Sequence, residues 1–184
     1  GNKYLNDDYI IKKASLYYYP KFITYNLFYY QDVLKKDPYI KDVSIKRGFF
    51  SIKINIVEKR AVLFNGVSNE YSFNDNTKIK ESDSLVKFVL PRLLNFVPNN
   101  IYRELINSLS KVNDNILNKI SDIEYSPNNI DKERFILYMN DGNLVYITLT
   151  KFNKISYYDN IYSQLDNHKG ILYLDNGNHF EIKE

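Results

Sequence analysis

The stretch from Val43 to Ile56 reads VSIKRGFFSIKINI and decides the fold of the first part of the chain. Apolar and polar residues alternate on both sides of Gly48, which is the pattern of a β-hairpin with one buried face. The preceding sequence, residues 25–36, is typical of a helix whose apolar residues face inward. We expect this helix to stop before Pro38, because proline disfavours helical geometry in the residue that precedes it.

A further helix is predicted to begin near the N-terminus. Asn6, Asp7 and Asp8 precede an apolar pair, and an Asn or Asp side chain can cap the free N–H groups of a first helical turn. The early acids also suit the positive end of the helix dipole. With a short strand near Lys3–Leu5, residues 1–60 predict a compact α+β unit in which two helices pack on a small sheet.

The second part of the chain, residues 61–184, predicts a β-rich domain with flanking helices, so the fold class is α+β. Short alternating strands and apolar residues at four-residue spacing follow one another without an internal repeat. The predicted elements are, in chain order, strands over 62–64 and 70–73, a helix capped by Asn99 or Asn100, a short helical piece with Ile116 and Ile120, strands over 135–139 and 144–148 around the turn Asn140–Asn143, a helix near 157–165 and a last strand from Gly170.

Charge divides the chain in the same place. Residues 1–60 contain 12 Lys/Arg and 6 Asp/Glu, a net +6, whereas residues 61–184 contain 13 and 16, a net −3; the sum is the overall +3. This asymmetry fits two domains with different surroundings, and scattered solubilising lysines explain it equally well. The sequence contains no apolar run near the roughly 18 residues of a membrane-spanning helix and no signal peptide, so it predicts either a soluble protein or one with a separate N-terminal anchor.

The residue types that carry catalysis are sparse. The chain has no cysteine, which excludes disulfides and thiolate chemistry. His168 and His179 are eleven positions apart in a Gly- and Asn-rich tail, so surface histidines explain them better than a metal site. No phosphate-binding glycine loop or nucleophile elbow is present. We therefore expect a protein that is not an enzyme and needs no cofactor or metal.

The first 62 residues also resemble a known domain. They show a helix, an extended link, a second helix ending near a proline, and two strands that close on a glutamate. This order resembles the single POTRA domain of the FtsQ/DivIB family of bacterial cell-division proteins. The segments that carry the resemblance are Asp7–Ile11, Leu34–Val43, Ile45–Arg47 and Ile54–Val62.

The remaining sequence is similar to the β domain of the same family. Leu90–Leu93 matches its Leu-Pro element, and Gly170–Leu174, followed by Phe180, is similar to its closing strand. Two positions, Phe50 and Ala61, differ from the prolines that the family often has. A further position, Tyr173, stands where many members have aspartate, so a role that needs a carboxylate there is not expected.

The resemblance implies a non-catalytic scaffold of the division machinery. Such proteins are anchored in the cell membrane by one N-terminal helix, which here would precede Gly1, with the POTRA domain near the membrane and the β domain outward. The chain would then be extracytoplasmic at the division site, the septum. Its implied partners are the small coiled-coil proteins FtsB/DivIC and FtsL.

The C-terminal strand is the main candidate for partner binding. A strand near a chain end often lies at a sheet edge, where a partner segment can add as a new strand. The family uses its C-terminal sheet edge in this way, which implies partner-binding roles for Leu172, Tyr173, Leu174 and Phe180. The same residues can instead close the core, and for Leu174 this explanation is preferred.

A second candidate contact surface is the solvent side of the predicted hairpin, with Lys46, Arg47 and Lys53, although charges on exposed strands more often only aid solubility. Three other functions remain open. Nucleic-acid binding through residues such as Lys41 is disfavoured by the net charge of only +3. A POTRA protein of secretion or outer-membrane assembly would usually contain tandem copies, and a wall-active enzyme would need a catalytic site.

Overall fold

The computed structural model describes residues 4–16, 26–49, 51–81, 88–165 and 168–183. The chain divides into two compact units, the first formed by residues 1–59 with 82–88 and the second by residues 60–81 with 89–184. Helices and strands occur in both units, so the predicted α+β class is confirmed. The assignment of residues 1–60 and 61–184 as functional domains stays a prediction.

The first unit contains two helices and an antiparallel hairpin. Its described elements are α1 (Asp7–Lys13), α2 (Leu27–Lys35), β1 (Ile40–Arg47) and β2 (Ile52–Glu58). Asn6 caps α1 by accepting a hydrogen bond from the Tyr9 amide at 2.7 Å, and Asn26 caps α2 in the same way. The end of α2 before Pro38 confirms the predicted stop, whereas the predicted start at Tyr25 lies outside the described residues.

The hairpin has the predicted buried face. Val43 lies opposite Ile56, and Ile45 lies opposite Ile54, so the apolar residues of the two strands share one face. Val43 and Ile56 are buried, and so is Leu34 of α2. The alternation read from the sequence therefore gives the correct buried face of this unit.

The predicted strand near Lys3–Leu5 is wrong for Tyr4 and Leu5, which form a bend; Lys3 lies outside the described residues. The Tyr4 and Leu5 amides donate hydrogen bonds to the carboxylate of Glu58, at 2.9 and 2.8 Å. Because a charged side chain satisfies these two amides, they need no partner strand. The glutamate that ends β2 thus ties the N-terminal segment to the hairpin.

The second unit is built on one mixed nine-stranded sheet whose strand order is β11-β10-β9-β8-β7-β6-β3-β4-β5. Its elements are β3 (Ala61–Asn65), β4 (Glu70–Phe73), β5 (Lys78–Lys80), β6 (Arg92–Leu93), α3 (Asn99–Leu109), α4 (Asp114–Leu117), β7 (Ile120–Tyr125), β8 (Arg134–Met139), β9 (Leu144–Thr148), a 3-10 helix (Leu149–Tyr157), α5 (Tyr158–Tyr162), β10 (Gly170–Tyr173) and β11 (His179–Ile182).

The core of the second unit lies between one face of the sheet and its helices. Leu105 and Leu109 of α3 pack with Phe135 and Leu137 of β8 and with Phe152 of the 3-10 helix, and all five are buried. Large apolar side chains on successive strands thus face the helices. This burial is the main favourable contribution to the stability of the unit.

Arg60, the first residue of the second unit, holds the end of α3. Its guanidinium donates hydrogen bonds to the carbonyl oxygens of Ser110 at 2.6 Å and Val112 at 2.5 Å, and it pairs with the Asp114 carboxylate at 2.8 Å. The last carbonyls of a helix have no partner inside the helix. Arg60 supplies one from outside, next to the N-terminus of α4.

Two element predictions in this unit are wrong in detail. The residue before α3 is Pro98, which makes no side-chain cap bond, and Asn99 is already the first helical residue. Ile120 does not continue a helical piece but begins β7, while Ile116 lies in α4. Strands β5 and β6 were not predicted, because three and two residues are too short to show an alternating pattern.

Candidate functional site

The C-terminal strand β11 lies at one edge of the nine-stranded sheet. It pairs with β10 on one side, and no strand of the described chain pairs with its other side. Strand β10 lies one position further in, antiparallel to β11 and parallel to β9. The edge therefore consists of β11, and the predicted strand from Gly170 lies inside the sheet.

The register of β11 shows which of its backbone groups point outward. The Lys183 amide donates to the Lys169 carbonyl at 2.9 Å, and the pairing continues with Glu181 opposite Ile171. In an antiparallel pair, hydrogen-bonded and non-hydrogen-bonded residues alternate. The N–H and C=O groups of Phe180 and Ile182 therefore point away from β10, in the direction that an added strand would occupy.

The side chains of β11 present two different faces. Phe180 lies opposite Leu172 and packs, partly buried, against the core, and Ile182 on the same face is 55% exposed. His179 and Glu181 are exposed on the opposite face. An added strand would thus meet an apolar surface on one side and a polar surface on the other.

A row of stacked side chains reaches β11 across the outer face of the sheet. The Arg134 guanidinium lies 4.1 Å from the ring centroid of Tyr146, which stacks on Tyr173 at 5.2 Å. Tyr173 in turn stacks on His179 at 4.4 Å. Its hydroxyl donates to Glu181 at 3.0 Å, and this hydrogen bond raises the pKa of Tyr173. The row fixes the orientation of the polar side chains of β11.

An ion pair closes the end of this row. Arg134 Nε lies 2.7 Å from Asp175 Oδ2, and both side chains are mostly buried, with 17% and 10% of their surface exposed. Lys151 donates to the Asp175 carbonyl at 2.6 Å, so the turn after β10 is held by β8 and by the 3-10 helix. These residues line an open cleft of about 620 Å³, together with Tyr173 and His179.

The start of β10 is held by a buried polar network. The Gly170 amide donates to Asn143 Oδ1 at 2.9 Å, and Asn143 donates through Nδ2 to the Tyr158 hydroxyl at 2.9 Å. The Tyr158 hydroxyl donates to Asp141 Oδ2 at 2.7 Å. Burial, and then this hydrogen bond to Asp141, raises the pKa of Tyr158. The turn before β9 thus positions the strand on which β11 depends.

The structure separates the four residues predicted at the C-terminal strand. Leu172 and Leu174 are 4% and 1% exposed and belong to the core. Their side chains close the second unit and are not available to a partner. Tyr173 lies on the outer face of β10, where it stacks on His179, and Phe180 lies on the edge strand, so partner contact by these two stays a prediction.

The hairpin cations are not all on one face. Lys46 lies directly opposite Lys53, and both are exposed, but Arg47 lies opposite Ile52. Successive side chains of a strand point to opposite faces, so Arg47 shares the face of Ile45 and Ile54. Arg47 is exposed like the two lysines, but it does not share their face.

Comparison with known proteins relates the first unit to a known domain and most of the chain to cell-division proteins. Residues 1–59 match the POTRA domain of FtsQ type. The cell division protein DivIB of Listeria monocytogenes is 28% identical over 88% of the chain, and DivIB of Brevibacillus brevis is 35% identical over 63% of it. The chain belongs to the FtsQ/DivIB family. The matched stretches cover 62% and 46% of these two relatives, so the chain spans less than two thirds of their length.

A solved structure from the same family is also similar. The major extracytoplasmic domain of DivIB from Geobacillus stearothermophilus aligns with 60% of this chain and 96% of its own, at 24% identity and a TM-score of 0.49. In the described part of this FtsQ/DivIB chain, no helix is both long and apolar enough to cross a membrane.

Several residues of the edge were missed as functional candidates from the sequence. His179, Glu181 and Ile182 form β11 with Phe180, and Tyr146 and Arg134 extend the outer-face row. The signal for the first three was the alternation that resumes after the turn Asp175–Asn178. Among the residues that the structure describes, no group of three or more His, Cys, Asp or Glu is placed to hold a metal ion.

Proposed function

We propose that this FtsQ/DivIB chain is the extracytoplasmic part of a division scaffold that binds coiled-coil division proteins of the FtsB/DivIC and FtsL type by strand addition. The observation that carries the proposal is the outward backbone of β11 at Phe180 and Ile182. This strand contains neither a lysine nor a proline to discourage pairing. We also propose that a membrane anchor holds the chain outside the cytoplasm at the septum.

Strand addition supplies only part of the required affinity. Phe180 and Ile182 offer two N–H and two C=O groups, and four hydrogen bonds contribute about 2–6 kcal/mol net. A micromolar complex needs about 8 kcal/mol. The difference must come from side chains, and the half-buried Phe180 and the exposed Ile182 are the apolar anchors beside the added strand.

Selectivity would come from the outer face. His179 and Glu181 are held there by the stacking and hydrogen bond of Tyr173. Because the position of Glu181 is fixed, a cationic residue opposite it on the partner strand would gain a cross-strand ion pair, and an acidic residue would be disfavoured. We therefore expect a partner segment that alternates apolar residues with polar ones, including a Lys or Arg.

Two tyrosines act as hydrogen-bond donors within the second unit. The hydrogen bond to Glu124 raises the pKa of Tyr138 to about 12, and burial raises that of Tyr158. A phenol with a raised pKa remains protonated at neutral pH, so these groups donate hydrogen bonds and do not act as bases or nucleophiles. Their function in the fold is to hold the carboxylates beside them.

The test is binding of the purified chain to the extracytoplasmic parts of the FtsB/DivIC- and FtsL-type proteins of the same organism. The informative truncation removes residues 179–184. A deletion from Gly170 would also remove Leu172 and Leu174 from the core and unfold the unit. We expect the truncated chain to keep its circular dichroism spectrum and to lose binding.

The matched control is the double variant Lys46→Gln/Lys53→Gln, which changes the hairpin and leaves β11 intact. We expect it to bind like the unchanged chain. Binding that survives the truncation but is lost in the double variant would move the partner site to the first unit. Failure of the unchanged chain to bind would refute the scaffold assignment.

A further inference from the structure

The tip of the β1–β2 hairpin in the first unit combines features that a soluble surface does not need. Phe49 exposes 89% of its surface at the turn, which is closed by a hydrogen bond from the Gly48 amide to the Ser51 carbonyl at 2.8 Å. An aromatic side chain held in water at the end of a hairpin adds nothing to the core. A single exposed apolar side chain is common on a protein surface, so the meaning of this one depends on the charges next to it.

The cations next to this tip are arranged unfavourably for an isolated protein. Lys46 lies directly opposite Lys53, and like charges in that position repel each other. Arg47 is the third cation, and residues 43–57 contain no Asp or Glu. Of the flanking acids, Asp42 pairs with Lys35, and Glu58 accepts hydrogen bonds from the Tyr4 and Leu5 amides. The exposed pair Lys46 and Lys53 thus lies next to an aromatic tip, in a stretch of sequence without acidic residues.

We infer that this tip docks on an anionic phospholipid membrane, with Phe49 inserted at the acyl boundary and Lys46 and Lys53 at the phosphates. Charge complementarity explains the paired lysines, because lipid phosphates remove their repulsion. The apolar tip favours a bilayer over a polyanion without an apolar part. Single-stranded nucleic acid, whose bases can stack on an aromatic ring, is separated from a bilayer by the experiment below. This inference concerns the first unit and does not depend on strand addition at β11.

The dimensions of the hairpin fit this arrangement. Phe49 lies three residues beyond Lys46, which is at most roughly 10 Å of extended chain. The headgroup layer of one leaflet is about 5–8 Å thick, since a bilayer of 40–45 Å has a hydrocarbon core near 30 Å. With the lysine ammonium groups at the phosphates, the Phe49 ring therefore reaches the outer end of the acyl chains.

The chain contains no tryptophan, so Phe49→Trp introduces a single fluorescent reporter at the tip. We expect its emission to shift to shorter wavelength when vesicles of equal parts phosphatidylglycerol and phosphatidylcholine are added, and not with phosphatidylcholine alone. Phe28→Trp is the matched control, because Phe28 is 79% exposed on α2 and residues 26–32 contain no cation. We expect no shift at that position.

Vesicle flotation then separates the contribution of the lysine charges from that of the Phe49 ring. Each variant is compared with the chain of unchanged sequence. Lys46→Gln/Lys53→Gln should weaken binding roughly 10- to 30-fold, and Phe49→Ser about tenfold. Lys12→Gln/Lys36→Gln removes the same charge elsewhere in the unit and should change binding only slightly. An unshifted Phe49→Trp emission on the anionic vesicles would overturn the inference. A second pair of results would also overturn it. In that case the chain would bind single-stranded DNA through the lysines, and Phe49→Ser would leave vesicle binding unchanged.

Discussion

Two strands end the nine-stranded sheet, and they are built differently. Strand β5 has three residues, Lys78, Ile79 and Lys80, and the Lys78 ammonium lies 4.4 Å from the ring centroid of Tyr102. Strand β11 has four residues, of which His179, Glu181 and Ile182 are exposed and Phe180 is partly buried. The outward backbone positions of β5 are lysines, and those of β11 are Phe180 and Ile182.

The difference indicates which edge is open to a partner. Exposed edges invite pairing with other chains, and proteins close them with short strands and with lysines. Strand β5 shows both devices, whereas β11 contains no lysine and is one residue longer. Because both edges belong to one sheet, each serves as the internal control for the other. The unprotected edge is the one where we place partner binding.

The largest effect is expected from Gly170→Ala. A Cβ there would collide with the Glu181 carbonyl oxygen and lie 2.8 Å from Phe180 Cζ. Strand β11 pairs only with β10 among the described strands, so it should detach rather than distort the core. We expect partner binding to fall at least about 100-fold. Hydrogen exchange at the Glu181 and Lys183 amides should accelerate in the free protein.

Gly142→Ala is the control for Gly170→Ala. Gly142 has a φ of +91° and nothing within 4 Å of an added Cβ. Its substitution should destabilise the second unit by about 1 kcal/mol through the left-handed backbone alone. Binding should remain. If Gly170→Ala frees the β11 amides to exchange and still binds normally, partner addition at this edge is wrong.

A smaller effect is expected from Ile182→Pro. The Ile182 amide points away from β10, so proline removes a donor that only an added strand would use and leaves the β10 pairing intact. We expect roughly tenfold weaker partner binding, the loss of one hydrogen bond plus the steric effect of the ring. Isothermal titration calorimetry would measure it.

Lys80→Pro makes the same change at the opposite edge. The Glu81 amide donates to the Asn69 carbonyl at 2.9 Å, so by alternation the Lys80 amide points outward from β5. We expect this variant to bind like the unchanged chain. Equal losses in the two proline variants would show that the comparison between the edges does not predict the binding site.

Alkaline pH should weaken the hydrogen-bond network of Tyr158, which holds the start of β10 and so supports β11. The pKa of Tyr158 is raised by burial and by its bond to Asp141, so the folded state holds this proton more tightly than the unfolded state does. The resulting stability is complete below the unfolded tyrosine pKa of about 10 and is lost as the pH rises above it. Tyr138, with a pKa raised to about 12, contributes in the same direction.

We therefore expect the urea midpoint of the second unit to fall between pH 8 and pH 11. Tyr158→Phe should lower the free energy of unfolding at pH 8 by about 1–3 kcal/mol, because Asn143 and Asp141 lose a hydrogen-bond partner. Its urea midpoint at pH 8 should therefore be lower than that of the unchanged chain. Its further fall to pH 11 should be smaller than in the unchanged chain. An equal fall in both proteins would exclude Tyr158 as the titrating group.

The sequence predicts the elements that keep a long, regular period. The first hairpin alternates over Val43–Lys46 and again over Ser51–Ile56, and its predicted buried face is correct. Strand β7 is missed because Ile120 and Ile123 are three apart, which is a helical spacing. The cause is a bulge between Ile120 and Asp122, which shifts the alternation by one residue and cannot be read from a single chain.

The sequence predicts only part of the candidate site, because alternation within a strand does not show where that strand lies in the sheet. The alternation near the C-terminus indicates strands, but it does not give the order of strands in the sheet. The crossover through the 3-10 helix and α5 places β10 parallel to β9, inside the sheet. Leu172 and Leu174 are therefore core residues, and the edge falls on His179–Ile182, a pairing that depends on contacts distant in sequence.

The smallest effect is expected at β5, the closed edge. The experiment tests whether the lysines or the short length of β5 prevents pairing with another chain. Lys78→Thr/Lys80→Thr removes both lysines and keeps β propensity. We expect folding stability to change by less than about 0.5 kcal/mol, because both residues are exposed. Sedimentation velocity should then show weak self-association that grows with protein concentration, as β5 edges pair. If the variant stays monomeric, the three-residue length of β5 is sufficient to close the edge. The absence of lysine from β11 would then no longer be an argument that a partner strand adds there. The extra residue and the apolar face of β11 would remain as arguments.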